Sequence, residues 1–324
     1  MRDDIVCDAH CDTVIDLLKK KKKMGELSSQ GHIDIPRLQR GKVDVQVFAI
    51  YIEKQFKPER SLTRALQLID CLLLELKANN DSIELAISPQ DIKAIVSANK
   101  IAAILAIEGG EALEGKLYNL RNFYRLGVRI ITLTWNQCNA IADGSDYPDS
   151  KRGLTSFGKK VVKEMNRLRM LIDVSHLSES GFWGVLRATC HPVIASHSNC
   201  YHLRPHRRNL KDKQIKAIAE KGGLICVTYV PDFLIKEKRK ATIDDIITHI
   251  DYLVNLVGVD FVGLGSDFDG CRTLPEGLDG ADKVFRIREK LAQNGYCPND
   301  INKIMGKNFL HLFKQVAGSG ISNE

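Results

Sequence analysis

The chain has 324 residues, enough for two average domains or one large α/β barrel, and its 44 % apolar and 27 % charged content is that of a globular protein with a sizeable core. Its formal net charge of +7 is made of both signs mixed along the chain, which leaves no concentrated footprint for nucleic acid. No apolar run reaches the ~20 residues of a membrane span; the start "MRDDIVCDAH" is unlike a signal peptide and the end "FKQVAGSGISNE" unlike a lipid-anchor signal, so no membrane anchor and a cytoplasmic location are expected.

Short runs rich in Val and Ile alternate with longer amphipathic stretches. The first run, "IVCDAHCD" (5–12), precedes a lysine run (19–23) read as a solvated helix end or loop. After "VDVQVFAIYI" (43–52) comes a helix over 61–79, with apolar residues at i, i+3, i+4 and i+7. "AAILAIEGG" (102–110) and "VRIITLTW" (128–135) follow, then a helix over 154–169. "LIDVSH" (171–176) and "PVIASHS" (192–198) lead to a helix over 210–222. "GLICVTYV" (223–230) precedes a helix over 242–258, which opens with Thr242 before two aspartates and stops at Gly258. "FVGLGSDFD" (261–269) is the eighth run, and the tail 314–324 is expected to fray. Alternation without a Pro/Gly/Ser-rich linker predicts one parallel α/β domain over 1–324. Eight strands in this length favour a (β/α)₈ TIM barrel over an open sheet. Nine cysteines, odd in number and without CxxC pairs, argue against a disulfide framework or a zinc ribbon.

Most runs end in residues that bind metals or move protons: His10 and Asp12, Glu108, His176, His197, and Asp267 with Asp269. In a barrel those ends converge on the face where active sites lie. His10 and Asp12 are two apart and share a strand face, with Cys7 and Cys11 expected to face outward and Asp8 one layer deeper than the pair. A lone histidine is by default a hydrogen-bonded core residue, but the paired aspartate and the other strand-end donors reverse that reading. Glu108 follows an apolar run and is costly to bury unpaired; an ion pair would satisfy it, and a metal-bridging carboxylate is the preferred reading. Five such ligands exceed a closed tetrahedral site. Sharing Glu108 between two ions gives each three protein ligands and leaves room for a bridging water, as in two-metal hydrolases. His and carboxylate donors suit two Zn²⁺, with Mn²⁺, Co²⁺ or Fe²⁺ also compatible. Asp267 reads as general base and acid, whereas Asp269 fits a direct role, an N-cap or a supporting acceptor. The basic loop "HLRPHRRNL" (202–210) is either solvated, phosphate-binding or a clamp for a substrate carboxylate. No GxSxG elbow supports a serine nucleophile.

Taken together, "DAHCD", "AIEGG", "IDVSH", "VIASHSN", "RRN" and "GLGSDFDG" resemble, in this order, the membrane (renal-type) dipeptidase family, binuclear zinc peptidases (M19) of the amidohydrolase superfamily with a (β/α)₈ barrel. The resemblance implies that His10 and Asp12 hold one zinc, His176 and His197 the other, and Glu108 bridges them. It further implies that Asp267 shuttles the proton from a bridging hydroxide to the leaving amine, and that Arg208, rather than Arg207, binds the C-terminal carboxylate of a dipeptide. Tolerance of a D-residue at that position follows from the same likeness. Tyr229, ending the seventh run, is placed at the pocket by position. One site departs from the pattern: where the family often has histidine in "TLTH", this chain has "TLTWNQCN", so Trp135 or Asn136, or the second zinc, is expected to polarise the substrate carbonyl. Deamination, lactone hydrolysis and a catalytically silent binding role remain alternatives. A homodimer through the outer helices is compatible with the sequence.

Overall fold

The computed structural model describes residues 2–19 and 22–318. Its strands are β1 (Cys7–Cys11), β2 (Val45–Tyr51), β3 (Ile83–Leu85), β4 (Ile101–Glu108), β5 (Val128–Thr132), β6 (Leu171–Asp173), β7 (Val193–Ala195), β8 (Leu224–Val227) and β9 (Val262–Leu264). They pair in parallel in the order β1-β2-β4-β5-β6-β7-β8-β9. The ring is drawn together past the end of β9: Asp12 N–H donates to Phe268 O at 2.9 Å and Asp267 N–H to His10 O at 3.1 Å. The eight predicted runs are these eight strands, and the fold is the TIM-barrel type expected. β3 was not expected; it takes the edge of β4 ahead of the point where β5 begins.

The helices match the sequence periodicity closely: Ser61–Ala78, Ser156–Arg167, Asp212–Glu220 and Ile243–Val257. Asp245 reaches back to accept the Thr242 N–H at 2.8 Å, which closes the last of these at its start. Their apolar faces cover the outside of the barrel, against Phe48, Ile50, Leu105, Ile107, Ile131, Ile172 and Val227. Inside, Val45, Val47, Ala102, Ile104, Ala106, Ile130, Leu171, Ile194 and Leu224 fill the lumen. Phe309, Phe313 and Val316 of the helix Asn308–Ala317 join that inner cluster. The turn before that helix packs Gly306 so closely on Ile5 and Cys7 that a Cβ would lie 2.4 Å from Ile5 O. The last helix therefore plugs the end where the strands begin, and the other end is left for chemistry.

Three expectations need correction. Residues 314–317 do not fray, because Val316 is buried against the barrel floor; 319–324 lie outside the described residues. The lysine run is not uniformly solvated: Lys22 is buried in an ion pair with Asp269, while Lys20 and Lys21 lie outside the described residues. Cys7 faces inward, in the lumen cluster with Ala9, and only Cys11 packs among the helices. The cause is a shift of register between Asp8 and Cys11, where three steps on β1 match two on β2. That bulge breaks the simple alternation assumed for the strand. Among the described residues, no helix is long and apolar enough to cross a membrane.

Candidate metal centre

The open end of the barrel gathers His10, Asp12, Glu108, His176, His197 and Asp267. Two of the turns that deliver site residues are conformationally demanding. His176, Asp267 and Asp269 sit at φ 67°, 62° and 66°, a left-handed backbone that disfavours side chains with a Cβ. Gly270 is needed for a different reason: a Cβ there would lie 2.1 Å from Asp267 Oδ1 and 2.3 Å from Asp12 Oδ2. The glycine lets the backbone run directly against the two carboxylates.

His176 Nε2 lies 2.8 Å from His197 Nε2 and 2.9 Å from Glu108 Oε1; His197 Nε2 lies 3.5 Å from the same oxygen. His10 Nε2 stands 3.8 Å from Asp12 Oδ2, 3.8 Å from Glu108 Oε1 and 4.0 Å from Asp267 Oδ1. Ligand atoms of His10, Glu108 and His197 fall within 4.8 Å of one another, as do those of His10, Asp12 and Asp267. These groups cut across the expected division, since His10 falls with Glu108 and His197 in one and with Asp12 and Asp267 in the other, while His176 reaches Glu108 and His197 pairwise. The geometry adds Asp267 to the His10 side.

The carboxylates at this end crowd one another and the His10 imidazole. Burial alone would lower His10, but Glu108, Asp12 and Asp267 push it up to about 10. Burial and Asp12 push Asp267 up to about 7 against the pull of His10 and Arg208, and the same two causes raise Glu108. Burial, with Arg208 and His10 adding to it, holds His176 and His197 well below the usual imidazole range, in the neutral form that ligates metals. His10 Nε2 and Asp12 Oδ1 are buried without a hydrogen-bond partner. Neutral imidazole nitrogens facing each other beside crowded carboxylates fit a divalent cation of borderline hardness.

The polar surroundings were less legible. Asn136 Oδ1 lies 2.7 Å from His176 Nδ1 and accepts from Ser145 Oγ at 2.8 Å. Ser196 Oγ lies 2.7 Å from His197 Nδ1 and donates to Asp173 Oδ2 at 2.6 Å. The aspartate and serine beside this histidine do not form a nucleophile triad, since the serine stands between the other two. Asp173 also accepts from Thr132 Oγ1 and from the Ser175 and Ser196 N–H groups, so it ties three strand ends together. Asp8 does the same on the other side, accepting the N–H and Oγ–H of Ser266, next to Asp267. Asp269 is held by Lys22 and by the His32 N–H.

The cleft above the centre is lined by Tyr51, Trp135, Asn136, Arg208, Val230 and Phe233, among others. Trp135 packs between Tyr51 and His176, at ring-centroid distances of 5.2 and 5.9 Å, with the Lys57 ammonium over both Tyr51 and Trp135. Arg208 is buried, donates once to His197 O at 3.2 Å and keeps its Nε without a partner. Burial pushes it down to about 10, even with Asp267 and Glu108 nearby. Arg207 is exposed and paired with Asp146. Tyr229 does not reach the cleft, which corrects the expectation: β8 ends at Val227, and the ring turns behind the barrel wall to pack edge-on against Phe268.

The chain as a whole is similar to known proteins. The model of the membrane dipeptidase family, peptidase family M19, matches residues 1–322. Dipeptidase tcpJ of Claviceps purpurea is 32 % identical over 296 residues, 88 % of this chain and 69 % of that protein. An uncharacterized dipeptidase of Schizosaccharomyces pombe is 34 % identical over 319 residues, 92 % of this chain and 76 % of that protein. A crystal structure of a metallo peptidase from Rhodobacter sphaeroides, liganded with a phosphinate mimic of the dipeptide L-Ala-D-Ala, aligns with a TM-score of 0.92 at 27 % identity, covering 96 % of this chain and 99 % of that one. With nearly the whole chain matched and a cluster of His and carboxylate donors at the open end of its barrel, the protein belongs to the membrane dipeptidase family M19, and is a metallo-dipeptidase that hydrolyses peptide bonds.

Proposed function

We propose that residues 1–324 form one catalytic unit that cleaves dipeptides bearing a free C-terminal carboxylate and accepts a D-residue at that position. In this reading His10, Asp12 and Glu108 hold one divalent ion and His176, His197 and Glu108 a second, with Zn²⁺ the first choice and Mn²⁺, Co²⁺ or Fe²⁺ compatible with the same donors. Ions bound there would polarise a carbonyl and lower the pKa of water toward neutrality. Arg208, which lines the cleft, takes the substrate carboxylate through its guanidinium, a contact that favours short substrates with a free C-terminus. Asp267, with its carboxyl near neutrality, accepts a proton from water and returns it to the departing amine. The L-Ala-D-Ala mimic bound by the Rhodobacter sphaeroides relative supports acceptance of a D-residue.

The observation that carries the reading is one cleft holding both the ligand atoms that converge on Glu108 and a buried guanidinium with a donor to spare. Elemental analysis of purified protein, followed by a panel of L,L- and L,D-dipeptides and their C-terminal amides, tests it. Close to two equivalents of metal and much faster release of free amino acids from the acids than from the amides are expected. No amino acid release from metal-loaded protein would sink the substrate assignment, and full activity without metal would overturn the site.

A further inference from the structure

His176 and His197 enter the cleft from neighbouring strand ends, and the Nδ1 of each rests on a different polar partner. Ser196 Oγ has one proton and directs it to Asp173 Oδ2 at 2.6 Å, so toward His197 Nδ1, at 2.7 Å, the hydroxyl can only accept. His197 must then carry its proton on Nδ1 and present a lone pair at Nε2. On the other side, Asn136 Oδ1 accepts from Ser145 Oγ at 2.8 Å and faces His176 Nδ1 at 2.7 Å, which asks the same of His176. The two Nε2 atoms then meet at 2.8 Å with their lone pairs toward each other and toward Glu108.

We propose that Asn136 and Ser196 are positioning residues that lock His176 and His197 as Nδ1–H tautomers, the form that ligates metal through Nε2. The inference rests on the metal-site reading above and adds to it a division of labour. His197 is backed by a chain ending in the Asp173 carboxylate, which makes its imidazole the more basic ligand. His176 is backed by a neutral amide and a hydroxyl, so it is the weaker donor of the two. Asn136 is therefore occupied with holding a ligand, and its oxygen is not available to the substrate.

Chelator-stripped wild type and the Asn136→Ala, Asn136→Asp, Ser196→Ala and Ser196→Thr variants are titrated with Zn²⁺ against a chromophoric chelator, and with Co²⁺ followed by its visible absorption. Loss of a partner behind a ligating histidine typically weakens metal binding 10–100-fold. That loss is expected for one equivalent in Asn136→Ala and in Ser196→Ala, with altered cobalt spectra. Ser196→Thr keeps the hydroxyl and restores wild-type affinity. Asn136→Asp keeps the acceptor oxygen and binds at least as tightly as wild type. Wild-type affinity in Asn136→Ala would overturn the proposal. So would Asn136→Asp binding as weakly as Asn136→Ala, because the amide N–H rather than its oxygen would then face His176. A wild type that takes up no metal would remove the reading beneath the inference, an outcome distinct from both.

Discussion

Lys22 Nζ lies 2.5 Å from Asp269 Oδ2, and both side chains are 1 % exposed. Lys22 also donates to Ile33 O at 2.9 Å, and the His32 N–H is held by Asp269 Oδ1 at 2.5 Å. The segment from Lys22 to Ile33 is thus fastened to the residue two places beyond Asp267. Asp269 lines the cleft but is already bound on both oxygens, so its part is to hold this segment down.

Removing one partner of such a pair leaves the other charge buried. Lys22→Met is expected to lower the unfolding free energy by about 3–5 kcal/mol, read from urea unfolding. Burial would raise the Asp269 carboxyl, but Lys22 outweighs it and holds the group below its ordinary value. A depressed carboxyl contributes stability that is complete above the unfolded value of about 3.9 and is lost as pH falls through the lower folded value. The gap between wild type and Lys22→Met should therefore be full at pH 6 and shrink below pH ~4. A gap independent of pH would deny the ion pair its role.

His10 is pushed up to about 10 by the carboxylates around it, yet it must offer a lone pair to bind metal. Zinc uptake by chelator-stripped protein at pH 7 should release a proton, and affinity should rise with pH. Calorimetric titration in two buffers of different ionisation enthalpy measures that release directly. In His10→Ala the signal should fall together with one equivalent of metal; a buffer-independent enthalpy in wild type would contradict the assignment.

The strands and the residues gathered at the open end of the barrel were legible because burial forces both. Apolar runs of barrel length mark the strands, and a histidine or carboxylate at the end of such a run has no cheap alternative to a partner. What lay beyond reach was whatever depends on a distant residue. Nothing in "CDAHCD" marks the bulge that turns Cys7 inward, and five identical lysines do not reveal that one is buried. Asn136 and Ser196 owe their importance to His176 and to Asp173, 40 and 23 residues away in sequence. Tyr229 was misplaced because the seventh run was read as strand up to residue 230, whereas β8 ends at Val227.

Arg208 tests the substrate end of the cleft. Arg208→Lys keeps the charge but loses the planar fork and the Nε–H that stands unpaired. Truncating one partner of a buried charge pair costs about 2–5 kcal/mol, and a loss of kcat/KM of that size is expected for dipeptides. Against C-terminal amides the variant and wild type should differ little. Equal losses on acid and amide would place Arg208 in the architecture and not on the carboxylate.

The indole N–H of Trp135 is one donor that this turn can offer the substrate carbonyl; Asn136, whose oxygen faces His176, keeps its amide N–H groups as another. Trp135→Phe keeps an aromatic ring against Tyr51 and His176 and removes only that donor. Loss of one such donor typically lowers kcat by ~10²–10³, which is expected here with KM little changed. An unchanged kcat would take the indole out of the chemistry and leave polarisation to the Asn136 amide N–H or to a bound metal.

Gly270→Ala asks how tightly the carboxylates are set. The new Cβ would come within 2.3 Å of Asp12 Oδ2 and closer still to Asp267 Oδ1, so one or both must move. Neither can retreat freely: Asp12 N–H is bonded to Phe268 O across the seam that draws the barrel together, and Asp267 N–H to His10 O. The strain falls on the side chains, which shift off the His10 imidazole. A displacement of ~1 Å can cost 10²-fold in rate, so kcat/KM should fall at least that far, with reduced metal content on the His10 side. The melting temperature should change little, since the clash lies at the open end of the barrel and not among its packed layers. A variant with normal metal content and activity would mean that Asp12 and Asp267 need no fixed separation, and would count against Asp267 working from its present place beside Asp12.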